Sequence, residues 1–261
     1  TTVTINGTAD QDVPGYTTTG LTTMSKTAGT ATFVGDVSGG ALTINGNGGT
    51  LDLGAGRTHS FSGSWTRTNG TVNAASSTLN IGGASSGTGG TFNAGTGTVR
   101  YDGAGAQTIF ALTYNDLTLA GAGTKTAAAS TINGTLTIEA GATFAIGSAV
   151  VTASGPTIID GTLALTNSSG VKTFAGNVTI GAAGSWTETA NPVVNIAGDF
   201  AFGGVAFTAG TGAHSFTGSG KTISGTFAIP NITVSGSYAN SDDLTASTAL
   251  TLSGTLTNNG A

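Results

Sequence analysis

The sequence predicts an all-β fold, a parallel β-helix (β-solenoid), and three observations lead there. Short runs of alternating β-branched and apolar residues recur along all 261 residues, closed within a position or two by Gly, Asn or Ser. No stretch keeps a 3.6-residue apolar period, and a Gly or Thr every few positions would destabilise any helix. The side chains are small: 45 glycines, abundant Thr, Ser, Ala and Asn, and only 7 % aromatic residues. A thin solenoid core accepts ranks of Ala, Val, Ile and Thr, whereas tandem β-sandwich modules, the alternative that also fits short strands, need longer strands and bulkier inward residues.

Strands are expected over 3–5, 42–44, 50–53, 78–81, 117–119, 135–138, 162–165, 178–180, 193–196, 232–234 and 250–252. The first closes on Asn6-Gly7, the second on Asn45-Gly46, the fourth on Gly82-Gly83 and the fifth on Ala120-Gly121. Later ones close on Gly181, Gly198, Ser235-Gly236 and Ser253-Gly254. Glycine supplies the backbone freedom that tight corners demand. At roughly 20 to 25 residues per coil the chain would hold about eleven coils, each rising ~4.8 Å.

A longer period overlies the short one. Thr2-Val3-Thr4-Ile5-Asn6-Gly7, Asp116-Leu117-Thr118-Leu119-Ala120-Gly121 and Asn231-Ile232-Thr233-Val234-Ser235-Gly236 are versions of one phrase about 115 residues apart. Phe61-Ser62-Gly63 returns at Phe174-Ala175-Gly176, and Tyr101-Asp102-Gly103 at Phe216-Thr217-Gly218. The expected organisation is one elongated solenoid, 1–261, with repeats 1–114, 115–230 and a partial third over 231–261.

Charge narrows the function classes. Twelve acids and seven bases make 7 % of the chain and a net charge of −5. No Lys/Arg cluster is present to neutralise phosphates, which argues against nucleic acid and against an anionic membrane surface. No 18-residue apolar run suggests membrane insertion. In a parallel ladder like residues stand directly above one another, so Thr over Thr and Asn over Asn share hydrogen bonds while like charges repel. Cysteine is absent, so thiolate metal sites and cysteine nucleophiles are too. The first residue is Thr rather than Met, so a processed chain or an excerpt of a longer one is expected.

Few residues suggest chemistry. Trp65 and Trp186 lie in the matching phrases Gly63-Ser64-Trp65-Thr66 and Gly184-Ser185-Trp186-Thr187, where an exposed indole could stack on a sugar and a buried one would pack. Two residues beyond each tryptophan, Glu188 is answered by Arg67. His59-Ser60-Phe61 and His214-Ser215-Phe216 also match, but neither histidine has a second ligand at metal spacing. The acids are scattered; the pairs Asp10/Asp12 and Asp242/Asp243 could hold a weak surface calcium ion or simply be solvated. No catalytic, cofactor or metal residues are assigned, and a Ser-His-Asp triad has no support in the spacing. Thr-x-Thr phrases recur too irregularly for an ice-binding face.

The ends carry the functional expectation. The chain opens directly on the strand of Thr2, Val3, Thr4 and Ile5 and closes on that of Leu250, Thr251 and Leu252 followed by Leu256, with no capping pattern at either end. Such edges predict head-to-tail stacking into a homopolymer, or continuation into a longer repetitive chain. Gly103-Ala104-Gly105-Ala106-Gln107-Thr108-Ile109, Asn115-Asp116-Leu117-Thr118-Leu119 and Gly134-Thr135-Leu136-Thr137-Ile138 resemble the Thr/Gly-rich repeats of very large prokaryotic surface proteins and β-helical adhesins. That resemblance implies an extracellular, cell-surface, structural or adhesive role. The expectation is a non-enzymatic protein that assembles end to end into a surface filament or fibre. Its alternatives are a glycan-binding adhesin stalk and, third, a polysaccharide-cleaving β-helix enzyme.

Overall fold

The structure, a computed structural model, describes residues 1–259. Every regular element among them is a strand, and the parallel sheets stack as a β-solenoid of about 13 turns. Parallel pairing throughout rules out the tandem sandwiches, which are antiparallel. There are more turns than the eleven expected, because turns run as short as 17 residues, the step from Lys221 to its partner Tyr238. The longest steps, such as Leu42 to Trp65, take 23.

The chain divides into two compact units, Thr1–Gly123 and Thr124–Ala261. Residues 260 and 261, the end of the expected partial repeat 231–261, lie outside the described residues. In the first unit each turn visits three sheets. One runs from Val3–Ile5 through Leu21–Met24, Ala41–Ile44 and Trp65–Arg67 to Ser85–Ser86. The next runs from Gln11–Val13 to Thr91–Asn93, and the third from Tyr16–Thr17 through Thr58–Phe61 and Thr98–Tyr101 to Asp116–Leu119. The first full turn of the second unit places Ser130–Ile132, Leu136–Ile138 and Ala142–Ile146 in three different sheets.

Alternation decides which way each side chain points. Strand after strand is buried at every second residue, as in Thr78–Ile81 and Thr162–Leu165. Because the register is direct, the inward residues form ranks. Val3, Thr22, Leu42, Trp65 and Ser85 make one, and Ile5, Met24, Ile44 and Arg67 its neighbour. In the second unit Phe144, Leu163, Trp186 and Phe207 make one rank, and Ile146, Leu165 and Glu188 the next. Each tryptophan therefore sits on a leucine floor, Trp65 over Leu42 and Trp186 over Leu163, and is closed over by the turn above.

Corners repeat as strictly as strands. In the second unit one sheet ends turn after turn on an x-Gly pair: Asn133-Gly134, Ser154-Gly155, Ala175-Gly176, Ala197-Gly198, Thr217-Gly218, Ser235-Gly236 and Ser253-Gly254. A Cβ on Gly176 would collide with the Gly155 carbonyl, and one on Gly198 with that of Gly176. The requirement is for space between stacked backbones.

This explains the recurring phrases. Thr2 to Gly7 lies on the first sheet of its unit, while Asp116 to Gly121 lies on the third. Phrases about 115 residues apart thus occupy different faces, and the structural repeat is the single turn. Near residue 230 the turns simplify. Phe227–Val234 and Leu244–Leu252 run eight and nine residues, with a register shift between Ile229 and Asn231 at Pro230, which has no N–H to give the ladder.

Candidate functional site

The residues expected at the edges divide between the two units. Val3, Thr4 and Ile5 form the strand Val3–Ile5, just after Thr2; it pairs with Leu21–Met24 and stands at the edge of its sheet. Thr2 and Thr4 are exposed, Val3 is half-buried and Ile5 is covered. Leu250, Thr251 and Leu252 belong to Leu244–Leu252 and Leu256 to Thr255–Asn258, and these two strands stand last in their sheets.

The geometry brings Leu250, Leu252 and Leu256 together. With Leu244, Asn240 and Asn258 they surround an open hollow of about 290 Å³. Their partners one turn earlier are Ile232, Val234 and Tyr238, and each of those is at most 2 % exposed. Leu250 and Leu252 are 47 % and 51 % exposed. The same inward rank is dry where a turn covers it and wet where none does. Asn240 donates from Nδ2 to Asn258 Oδ1 at 2.8 Å, while its own Oδ1 is buried without a partner. Leu244, Asn240 and Asn258 escape sequence reasoning; the faint signal is the 18-residue step from Asn240 to Asn258, one turn of the ladder.

Neither tryptophan is placed to touch a glycan. Trp65 and Trp186 are both fully buried, so no ring face is free to stack on a sugar. Each packs instead among aromatic side chains: Trp65 against Phe92 and Phe110, Trp186 against Phe174, Phe200 and Phe207. No protein-family model, curated protein or solved structure matches this chain. The functional reading rests on the chemistry of its own residues.

The two histidines serve different hydrogen bonds. His59 Nδ1 accepts from Val37 N–H at 3.2 Å and Nε2 donates to Leu53 O at 2.7 Å, a pattern that a neutral ring satisfies. Burial pushes its pKa below the ordinary value of 6.5. His214 meets Glu188 Oε1 through Nε2 and Gly212 O through Nδ1.

Acids act as ties between turns. Asp10 Oδ1 accepts from Thr30 N–H, Asp36 Oδ1 from Thr58 N–H and Asp199 Oδ1 from Thr222 N–H, each one turn later. Asp242 Oδ2 accepts from Gly225 N–H one turn back. Of the proposed calcium pairs, then, Asp10 and Asp242 each commit an oxygen to backbone. Among the described residues no group of three His, Cys, Asp or Glu could hold a metal ion.

Cations, unusually, lie inside. Lys26, Lys125, Lys172 and Arg67 are at most 3 % exposed. Lys172 Nζ donates to Ser169 O and Gly170 O at 2.6 Å and reaches Asn167 O at 3.4 Å, so the ammonium is held by corner carbonyls. Burial holds its pKa below the ordinary lysine value, while Glu188 opposes the shift. Lys26 Nζ donates to Ala9 O at 2.6 Å across one turn.

Proposed function

We propose that this is a structural, non-enzymatic extracellular protein whose copies stack head to tail into a surface filament or fibre. The observation that carries the reading is the uncovered core around Leu244, Leu250, Leu252 and Leu256. A further turn laid in parallel register would bury these leucines and pair with Leu244–Leu252, the last strand of its sheet among the described residues. The occupant is the first turn of a second copy, led by Thr2, Val3, Thr4 and Ile5. That contact is heterologous and does not close, so it propagates. The resemblance to Thr/Gly-rich surface repeats supports a place outside the cell, and the neutral, hydroxyl-rich exterior suits a fibre.

Electron microscopy of the purified chain at micromolar concentration tests this. Fibres that disappear in Leu250→Asp/Leu252→Asp, with the monomer still folded, are expected. Dispersed particles from the unaltered chain, or fibres that survive the double substitution, would overturn the junction.

A glycan-binding stalk is the second reading, and what favours it is a trough rather than the tryptophans. Thr17, Ser38, Ser60 and Asn80 stand in one outward rank on the first unit's third sheet, beside a groove of about 550 Å³. Retention on immobilised polysaccharide that is lost in Asn80→Ala would favour it.

A further inference from the structure

Each unit contains a strand in which a tryptophan is followed two residues later by a charged side chain on the same inward face. These are Trp65 with Arg67, in Trp65–Arg67, and Trp186 with Glu188, in Ser185–Glu188. Both charged residues stand on aliphatic floors, Arg67 over Ile44 and Glu188 over Leu165. In the second unit the carboxylate satisfies its surroundings. Glu188 Oε1 accepts from Trp186 Nε1 and meets His214 Nε2, both at 2.8 Å, and Oε2 accepts from Gly210 N–H at 2.7 Å.

In the first unit a guanidinium takes that place, and the arrangement is left incomplete. Arginine has five donors and no acceptor, so it cannot receive the indole proton. Trp65 Nε1 is buried with no hydrogen-bond partner. Arg67 is 3 % exposed and donates to Gly90 O at 3.1 Å. The rings of Trp65, Phe92 and Phe110 face its Cζ at 5.7, 5.9 and 5.3 Å. Among the described residues no carboxylate pairs with it. Aromatic faces offset only part of the cost of a buried cation, and the spare N–H groups remain.

Beside Arg67 is a hollow of about 300 Å³, walled by Phe92, Phe110 and Leu112. Gly87, the residue over Arg67, lines it at φ +90° and brings no side chain into it. Exposed Gly87, Thr88 and Ala111 line its mouth, so solutes can enter.

We propose that this hollow binds a small organic monocarboxylate, whose carboxylate gives Arg67 the counter-charge that no described side chain supplies. The two oxygens accept from the guanidinium fork. The apolar body lies against Phe92, Phe110 and Leu112. Size and charge select the class. At roughly 30 Å³ per water-sized group the hollow takes about ten heavy atoms. One cation among apolar walls matches a single negative charge, whereas a phosphate dianion would bring a second, unpaired one.

The probe is benzoate, added to the full chain labelled with ¹⁵N, and the readout is the two indole N–H resonances, assigned with Trp65→Phe. Benzoate is expected to move the Trp65 resonance saturably through the neighbouring Arg67 and leave that of Trp186 in place, while chloride and phosphate at equal ionic strength move neither. In Arg67→Gln at least tenfold more benzoate is needed. In Arg67→Glu the Trp65 resonance lies downfield without ligand and no longer responds. Nuclear Overhauser contacts from benzoate ring protons to Phe110 in the unaltered protein keep the test decisive if the variants do not fold. An unmoved Trp65 resonance, an equal response to phosphate or chloride, or an unchanged response in Arg67→Gln would overturn the site.

Discussion

Glu188 Oε1 stands 2.8 Å from His214 Nε2, and His214 Nδ1 faces Gly212 O at 3.1 Å. The ring is thus held from both sides, by the Glu188 carboxylate and the Gly212 carbonyl. Glu188→Ala would strand the His214 and Trp186 donors and the Gly210 N–H together. The expected loss is about 3–5 kcal/mol of unfolding free energy, the usual consequence of breaking a buried pair. Glu188→Gln, which keeps one acceptor oxygen, should lose less. Urea titration followed by tryptophan fluorescence measures both.

His59 predicts an acid response. Its pKa is lowered in the folded state, so the unfolded chain binds more protons wherever the two states differ. Stability from this residue is full above the unfolded value of about 6.5 and falls as pH drops through the lower folded one. His59→Gln can still accept from Val37 N–H and donate to Leu53 O, and it does not titrate. Urea midpoints at pH 7.5 and pH 5 should differ less in His59→Gln than in the unaltered chain.

The two tryptophans should respond unequally to Phe. Trp186→Phe removes a hydrogen bond that leaves Glu188 short of a donor, whereas Trp65→Phe removes an N–H with no partner. Trp186→Phe is therefore expected to be the more costly by about 1–2 kcal/mol. Equal shifts in urea midpoint would mean that the Trp65 indole is satisfied in solution.

Corner glycines separate by space. Gly176→Ala drives a methyl group into the Gly155 carbonyl, and no rotation can relieve the contact. About 1–3 kcal/mol of destabilisation is expected, as for overpacking. Gly220 has φ +64° but nothing within 4 Å of an added Cβ, so Gly220→Ala should cost about 1 kcal/mol from backbone strain alone. Thermal unfolding of the two variants gives the order.

Much of the ladder was legible in the sequence. Every strand expected, from 3–5 to 250–252, overlaps an observed one, with 50–53, 135–138 and 193–196 each running one residue beyond it, because alternation and a closing glycine are local signals. The long period was misleading for a physical reason. Each turn uses the same apolar-x-Gly ending, so good matches arise between any two turns, including turns on different faces. Burial was harder to read. Trp65, Trp186, Lys26 and Arg67 are interior because of what stands one turn above and below, some 20 residues away, and no short window contains that information. Leu250 and Leu252 were legible as strand residues from their alternation, while Asn240 and Asn258 needed the register.

The turn-by-turn register has a mechanical meaning. Force applied along the stack would load one ladder at a time, because each turn pairs only with its neighbours. Turns of 17 to 23 residues, at roughly 3.3–3.6 Å per extended residue, would each release about 60–80 Å when peeled away. A tether built this way lengthens in even steps, and the turns that remain stay intact.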